Sequence, residues 1–225
     1  MDKTQLIENI QQIKQKISEN KKNDQSVEMI AVTKYVDSNM IRSLYDLGLR
    51  HFGENRSDEL LEKQTELADI NEEITWHFIG QLQRRPVRKI INKIAYLHSL
   101  DRISLIEEVN KRANHTVSSF LQVNVSGEEQ KAGFKPDEVL DIVRQIEEYP
   151  NIKIIGLMMM APYDAGDVEL HHYFKALKSL QDEIIALNLT YAPCTRLSMG
   201  MTDDFPIAIQ EGATDVRIGR ALYME

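Results

Sequence analysis

The sequence predicts an α/β protein, a single TIM-type (β/α)8 barrel with an extra helix at its amino terminus. Eight short apolar runs of β type alternate with longer amphipathic stretches of helical type, the pattern of successive parallel βα units. The chain has 225 residues, close to the ~250 typical of such barrels. No stretch rich in proline, glycine or serine divides it, so residues 1–225 are expected to form one barrel domain.

Each predicted element rests on its own local pattern. The leading helix is predicted over residues 2–20, where helical spacing on a mostly polar background is shared by Leu6, Ile7, Ile10, Ile13, Lys14 and Ile17. The eight strands are predicted at Glu28–Thr33, Leu49–Gly53, Ile74–Ile79, Ile94–Ser99, Ser119–Val125, Ile152–Met158, Thr195–Ser198 and Asp215–Ile218. The intervening helices are predicted at Ser38–Leu47, Ser57–Leu67, Pro86–Asn92, Ser104–Ala113, Pro136–Glu148, Val168–Leu187 and Asp203–Glu211.

An open, doubly wound parallel sheet shares this alternation and is the competing fold. Its dinucleotide-binding form needs a glycine-rich turn after the first strand. Here that turn is Thr33-Lys34-Tyr35-Val36, which contains no glycine. The pattern therefore favours the barrel.

Charge and composition exclude several classes of partner. The chain has 27 Lys and Arg against 35 Asp and Glu, a formal net charge of −8. Nucleic acids and anionic membranes need a basic surface, so neither is expected as a partner. The longest apolar run, residues 154–161, is far shorter than the ~20 residues of a membrane span. A single cysteine, Cys194, permits no disulfide within the chain, and the start of the chain lacks an apolar signal core, so a cytoplasmic protein is expected.

The predicted strands end in polar residues. Active sites of such barrels lie at the carboxyl ends of the strands, so these ends are the candidate site. They supply Lys34, Glu54-Asn55, His77 with Gly80-Gln81, His98-Ser99 with Asp101, Asn124, Met158, Ser198-Met199-Gly200 and Arg217-Ile218-Gly219-Arg220. One end of the barrel is thus predicted to collect an amine, amides, imidazoles and an arginine.

Two of these ends have both a chemical and a purely structural interpretation. A partly desolvated Lys34 is a candidate nucleophile for a carbonyl carbon, but a lysine that closes a strand and reaches water fits the residue alone better. The turns after strands seven and eight, around Gly200 and Gly219, are where barrels commonly bind phosphate. A plain helix cap at Thr202 or Asp203 and a surface arginine are the alternatives there.

The motifs taken together extend through nearly the whole chain. They are Ala31-Val32-Thr33-Lys34, Phe52-Gly53-Glu54-Asn55, residues 76–83 (WHFIGQLQ), His98-Ser99-Leu100-Asp101, Gln122-Val123-Asn124, Gly156-Leu157-Met158 and the block from Ser198 to Tyr223. In this order they resemble the pyridoxal phosphate homeostasis protein family, whose barrel is similar to the N-terminal domain of alanine racemases, the type III fold of enzymes that use pyridoxal 5′-phosphate (PLP). The chain departs from the family pattern at Pro86, where lysine is common, although Arg84 and Arg85 beside it could bind an anion in its place.

The resemblance implies a set of cofactor-binding residues. Lys34 would carry PLP as a Schiff base, and Arg217 would face the pyridine nitrogen. Asn55 and His77 would line the ring pocket. The phosphate would be cradled by Ser198, Met199, Gly200 and Gly219.

The function expected from this reading is intracellular PLP homeostasis without strong catalysis. An arginine opposite the pyridine nitrogen does not readily supply a proton, so the ring would stay a weak electron sink. In alanine racemases one base comes from a second domain, as the resemblance implies, and a chain ending at Glu225 leaves no room for it. Delivery of PLP to apoenzymes is the expected partnership, with the chain a monomer or a weak dimer.

Two other functions stay open. A small PLP-dependent amino-acid racemase would use Lys34 as one base and Tyr35, His77 or Tyr163 as the other, although Tyr35 is expected to point away from the site because side chains alternate along a strand. A phosphate-binding barrel without PLP, such as a sugar-phosphate aldolase using Lys34, is the third possibility.

Overall fold

The computed structural model describes residues 3–223 and contains a closed barrel of eight parallel strands in sequence order, in which β8 pairs back onto β1. The strands are β1 Glu28–Val32, β2 His51–Glu54, β3 Thr75–Phe78, β4 Tyr96–Leu100, β5 Val117–Gln122, β6 Ile152–Met158, β7 Arg196–Met201 and β8 Asp215–Ile218. The helices are α1 Lys3–Asn20, α2 Ser38–Asp46, α3 Ser57–Glu66, α4 Arg84–Ile90, α5 Ile103–Arg112, α6 Val139–Gln145, α7 Asp167–Ala186, α8 Phe205–Gln210 and α9 Arg220–Tyr223.

The predicted barrel class, its eight strands and its extra leading helix are confirmed, and the open doubly wound sheet is wrong because β1 and β8 are hydrogen-bonded neighbours. Asp2, the predicted start of the leading helix, lies outside the described residues. The helix predicted over Pro136–Glu148 is divided, since 3-10 turns at Pro136–Glu138 and Ile146–Glu148 flank α6.

The main apolar core lies between the outer face of the strands and the helices. Ala31 of β1 pairs opposite Phe52 of β2, and both side chains are fully buried in this layer. Helix α1 closes one side of it through Leu6, Ile10, Ile13 and Ile17, and packs against α8 and α9. A hydrogen bond of 3.0 Å from the Asn9 amide to the carbonyl oxygen of Leu222 fixes α1 on α9.

The inside of the barrel is unusually polar. Histidines on three neighbouring strands, His51, His77 and His98, lie ring to ring across it. The His98 ring also stacks on Phe120 of β5, with ring centroids 4.2 Å apart. Since alternate residues of a strand point to opposite faces, these imidazoles fill the interior while their neighbours in sequence pack beneath the helices.

Strand β7 is longer than the sequence predicts. It continues to Met201 instead of ending at Ser198, and α8 begins at Phe205 instead of Asp203. The pairing of β7 with β8 changes register between Ser198 and Met201, and within this interval Gly200 has a φ of +93°. A conformation that only glycine adopts easily thus extends the strand towards the barrel mouth.

Candidate functional site

A cavity of about 620 Å³ opens at the carboxyl end of the barrel. Its wall is formed by the segments that follow β1, β2, β3, β6, β7 and β8. Four of the residues predicted from the sequence line it: Lys34, Asn55, Arg217 and Gly219. This volume falls in the range of pockets that enclose small organic ligands.

The turn after β1 presents Lys34 to this cavity. The backbone N–H of Thr33 donates to the carbonyl oxygen of Gly53 at 3.0 Å, and the N–H of Val36 donates back to the carbonyl oxygen of Thr33 at 3.1 Å. Helix α2 then begins, with the Asp37 carboxylate capping the N–H of Met40 at 3.0 Å. Lys34 therefore projects from a short, firmly held turn, half-buried, with its Nζ 4.8 Å from the centre of the Tyr35 ring.

A buried ion pair supports this turn from beneath. Nζ of Lys63, on α3, donates to Glu54 Oε1 and to the carbonyl oxygen of Thr33, each at 2.8 Å. The Thr33 hydroxyl donates to the same carboxylate oxygen at 2.5 Å. Burial raises the pKa of Glu54, against the opposing effect of Lys63 and Thr33. The second oxygen, Oε2, accepts no hydrogen bond from the described residues.

Arg217 forms the floor of the cavity. Its guanidinium donates from one Nη to Ser198 Oγ at 2.6 Å and from the other Nη to the carbonyl oxygen of Met159 at 2.9 Å. The residue is 5% exposed, and burial lowers its pKa to about 10, partly offset by Asp204 and Asp215. A guanidinium with this pKa still carries its charge at neutral pH and offers the cavity a fixed positive group.

The structure places His77 below the cavity instead of on its wall. Its ring is fully buried, with Nε2 2.9 Å from Nδ1 of His51 and Nδ1 2.9 Å from Nε2 of His98. The reason is its position along the strand, because Ile79, two residues further on, takes the place at the mouth that the sequence predicts for His77.

The β7 residues predicted for a phosphate cradle also lie behind the cavity wall. The Ser198 hydroxyl is buried and contacts His98 and Arg217, and the Met199 side chain is buried in the outer apolar core. Gly200 packs on the start of α8, where an added Cβ would lie 2.7 Å from Ala208 Cβ and 2.9 Å from Phe205 Cα. The residues of this segment that reach the cavity are Met201, Thr202, Asp203 and Asp204.

Six further residues on the wall receive no cofactor-binding role from the sequence, although four of them lie in its motifs and Tyr163 is a candidate racemase base. They are Gly80, Gln81, Met160, Tyr163, Asp204 and Tyr223. Asp204 is partly buried, which raises its carboxyl pKa, and it accepts a hydrogen bond of 2.5 Å from the N–H of Met201. Tyr223 follows the last strand closely in sequence, which is the signal that could have indicated its proximity.

The two tyrosines and the arginine pair named from the sequence lie at different places relative to the cavity. Tyr35 is 72% exposed and lies on the cavity wall, so the expectation that it points away is wrong: β1 ends at Val32 and the alternation of a strand no longer applies. Tyr163 also lines the cavity. Arg84 and Arg85 are exposed at the start of α4 and do not line it.

Two other kinds of feature, a metal centre and a membrane-spanning helix, are absent from the described residues. No three His, Cys, Asp or Glu side chains within residues 3–223 gather as metal ligands. No helix in that part of the chain is both long and apolar enough to cross a membrane.

Comparison with known proteins gives consistent matches over the chain. The family described as "Alanine racemase, N-terminal domain" matches residues 1–225. A protein of Aquifex aeolicus named "Pyridoxal phosphate homeostasis protein" is 41% identical over 200 residues, which cover 88% of this chain and 86% of that protein.

Solved structures match over almost the full length of both chains. PipY of Synechococcus elongatus, solved without PLP, is 32% identical and superposes with a TM-score of 0.88. The structure of the same protein with PLP bound gives a TM-score of 0.86. In both cases 97% of this chain and 99% of the PipY chain are covered.

Proposed function

This chain belongs to the pyridoxal phosphate homeostasis protein family, as its motifs predicted, and we propose that it binds PLP as a Schiff base on Lys34. One observation carries the proposal: the Lys34 amine, just after β1, and the buried Arg217 guanidinium, on the neighbouring strand β8, line the same cavity. The PLP-bound structure of the PipY relative supports it.

The residues of the cavity fit such a cofactor chemically. An aldehyde needs an amine partner, which Lys34 supplies by forming a C=N bond to the aldehyde carbon with release of one water. A pyridine nitrogen needs a hydrogen-bond donor, which Arg217 supplies. Bound PLP supplies an aldehyde for reversible imine exchange and an aromatic ring that withdraws electrons.

We assign the remaining contacts to the predicted residues by their place in the fold. Asn55 lies on the wall, and we propose that it contacts the ring. Gly219 and the β7 turn from Ser198 through Met199 and Gly200 are proposed to hold the phosphate, with backbone N–H groups as donors. His77 is proposed to act from beneath the cavity, through its hydrogen bonds, and not by contact with the cofactor.

The cellular role proposed is PLP homeostasis, with delivery of the cofactor to apoenzymes and without strong catalysis. Arg217 favours this role because it leaves the pyridine nitrogen without a readily transferred proton. A cytoplasmic location is proposed as well, since the one cysteine, Cys194, is a free and buried thiol. A monomer or weak dimer is proposed as the working form, without nucleic-acid or membrane partners.

A weak PLP-dependent racemase is the second candidate. The observation that favours it is the position of Tyr35 and Tyr163, two phenols on the same wall as Lys34. Either hydroxyl could act as a second base. Turnover of one amino acid by the loaded protein, lost in Tyr35→Phe or Tyr163→Phe, would establish this function instead.

Visible absorption spectroscopy tests the proposal directly. Protein loaded with PLP should show a band that borohydride bleaches, and Lys34→Ala should lack it. Lys175→Ala removes an exposed lysine of α7 and serves as the matched control. A bleachable band that persists in Lys34→Ala would contradict the assignment, and no band with excess PLP would also return the aldolase to consideration.

Delivery needs its own experiment. Loaded protein is mixed with the apo form of a PLP-dependent enzyme, and recovery of that enzyme's activity is timed. Direct delivery predicts recovery faster than the release of PLP into a large excess of a scavenging amine. Recovery no faster than that release would indicate diffusion of free PLP.

A further inference from the structure

We propose that His51 and Glu28, at the end of the barrel remote from the cavity, are positioning residues for Arg217. A single file of hydrogen bonds inside the barrel connects the two ends. Its members, in order from the cavity, are Arg217, Ser198, His98, His77 and His51, and Glu28 lies beyond His51 at ion-pair distance. The inference rests on the proposed function, because that function gives Arg217 its role towards the cofactor.

Each of the four hydrogen bonds in this file is short. Arg217 Nη lies 2.6 Å from Ser198 Oγ, which lies 2.8 Å from Nδ1 of His98. The two contacts between imidazoles, from His98 to His77 and from His77 to His51, are both 2.9 Å. The file ends where Nε2 of His51 lies 3.5 Å from Glu28 Oε2, at the first residues of β2 and β1.

The direction of the hydrogen bonds follows from the group at the cavity end. A guanidinium has only donors, so Ser198 Oγ must accept from Arg217. Among residues 3–223 the Ser198 hydroxyl has one side-chain neighbour able to accept its proton, Nδ1 of His98, so the proton goes there. Nδ1 of His98 is therefore the acceptor, and the proton of this ring is on Nε2.

The tautomer of His98 determines the direction of the hydrogen bonds to the other two rings. Nε2–H of His98 donates to Nδ1 of His77, which places the proton of His77 on Nε2 as well. Nε2–H of His77 donates to Nδ1 of His51, whose remaining N–H then points towards the Glu28 carboxylate. Every donor points away from the cavity, and all three rings carry the same tautomer.

Charge and burial agree with neutral rings. A cationic imidazole carries two N–H groups, so one of them would face another donor within the file. Burial, with Arg196 and Arg217 nearby, holds the pKa of His98 well below its usual value, and burial does the same for His77. Arg196 is itself paired with Asp215 and lies over the Tyr96 ring, so its charge is already balanced.

The acceptor at His51 therefore decides how Ser198 is oriented. Without it, Nε2–H of His77 is a buried donor with no partner, which a ring avoids by moving its proton to Nδ1. His98 must then move its own proton to Nδ1 as well, and Ser198 Oγ meets donors from both His98 and Arg217. Oγ can accept from both, but the buried hydroxyl proton of Ser198 then has no acceptor, and a rotation that relieves this disturbs the contact with the guanidinium. His51 exerts this effect although it is only partly exposed and lies two strands away from Arg217.

NMR spectroscopy of protein with 15N-labelled histidine and arginine, prepared without PLP, tests this arrangement. Long-range correlations between the carbon-bound hydrogens and the two nitrogens of each imidazole show which nitrogen is protonated. We expect Nε2–H in all three rings and slowly exchanging guanidinium resonances for Arg217. In His51→Leu, which removes the acceptor, we expect mixed tautomers in His77 and His98 and rapid exchange at Arg217.

Two further variants separate positioning from general stability. His51→Gln keeps an acceptor oxygen and should restore the tautomers, the Arg217 resonances and PLP affinity, which His51→Leu should weaken roughly 3- to 10-fold. Glu28→Ala removes the final acceptor at a half-exposed position and should give a smaller change in the same direction. His172→Gln, at an exposed position on α7, should change none of these.

The outcomes distinguish this inference from the proposed function. Nδ1–H or mixed tautomers in the unaltered protein, or unchanged Arg217 resonances in His51→Leu and Glu28→Ala, would overturn the inference whether or not PLP binds. The expected tautomers and Arg217 response in a protein that fails to bind PLP would support the file while the proposed function fails.

Discussion

The ammonium of Lys63 and the carboxylate of Glu54 lie 2.8 Å apart and are sealed from solvent, with 9% and 0% of their side chains exposed. The same ammonium donates to the carbonyl oxygen of Thr33, the residue before Lys34. One ion pair thus joins α3 to the ends of β1 and β2. The turn that carries Lys34 is therefore held by the Lys63 ammonium, which does not line the cavity.

Replacement of this ammonium should destabilise the protein strongly. Lys63→Met leaves the Glu54 carboxylate buried without a cation, at an expected cost of about 3 kcal/mol in the free energy of unfolding. The cost should be larger at pH 8 than at pH 5. Burial already raises the pKa of Glu54, and without Lys63 the folded state favours the neutral acid still more, so stability is lost as the pH rises through that pKa.

Urea unfolding at the two pH values measures both effects. Lys89→Met, at an exposed position on α4, is the matched control and should change neither. Glu54→Gln combined with Lys63→Met should recover part of the loss, because no charge is then buried. A single Lys63→Met variant as stable as the parent at pH 8 would show that the pair contributes nothing.

Two buried histidines should make the fold sensitive to mild acid. The pKa values of His77 and His98 are held well below the usual 6.5, chiefly by burial. Below pH 6.5 these two histidines therefore bind protons in the unfolded chain but not in the folded chain. The free energy of unfolding falls as the pH drops. At pH 5.5 the two groups together should cost about 2 to 3 kcal/mol relative to pH 7.5.

Comparison with a variant isolates this contribution. Glu54 and Asp204, whose pKa values are raised, act in the opposite direction, so the dependence of the parent alone is a net value. His98→Phe should flatten the acid loss by about one histidine's share, up to ~1.4 kcal/mol per pH unit. His172→Gln should leave the dependence unchanged, and an equal slope in His98→Phe would contradict the assignment.

The single thiol should be inert in the folded protein. Cys194 is fully buried, and burial raises its pKa to about 12, so almost none of it is thiolate at pH 8. Iodoacetamide reacts with the thiolate, and therefore modification should follow unfolding in urea and be negligible before it. Mass spectrometry across a urea series measures this, and rapid labelling of the native protein would contradict the buried position.

The sequence predicts which strands contribute to the site better than it predicts how far below the rim each side chain lies. Lys34, Asn55, Arg217 and Gly219 were placed together because parallel strands end at one rim, a consequence of topology alone. Whether a residue lies on the rim or one layer below depends on one or two positions along a strand. His77 and Ser198 fall in the lower layer, since β3 and β7 continue past them by one and three residues.

Contacts between side chains on different elements are harder to predict from the sequence. The spacing of α3 reads as an amphipathic helix, and nothing in it marks Lys63 as a buried lysine. Its partner Glu54 is predicted only as a polar strand end within a motif, with no ion-pair partner. Their contact depends on how α3 crosses β2, which packing decides and local patterns do not.

The turn after β7 offers a sharp test of a glycine at the proposed site. Gly200 and Gly48 share a φ of +93°, a conformation that costs a residue with a side chain about 1 to 2 kcal/mol. Around Gly48 an added Cβ meets nothing within 4 Å, whereas at Gly200 it meets Ala208 Cβ at 2.7 Å and the backbone of Phe205 at 2.9 Å. Gly48→Ala therefore measures backbone strain alone, and Gly200→Ala adds steric overlap to it.

We expect Gly200→Ala to lower the free energy of unfolding by about 3 kcal/mol and Gly48→Ala by about half as much. Only Gly200→Ala should also weaken PLP binding, because the start of α8 must move and carries Met201 to Asp204 on the cavity wall with it. Urea unfolding and titration with PLP measure the two effects. Equal losses of stability in both variants would show that α8 moves aside without lowering the free energy of unfolding. Unchanged PLP affinity in Gly200→Ala would show that the β7 turn does not contact the phosphate.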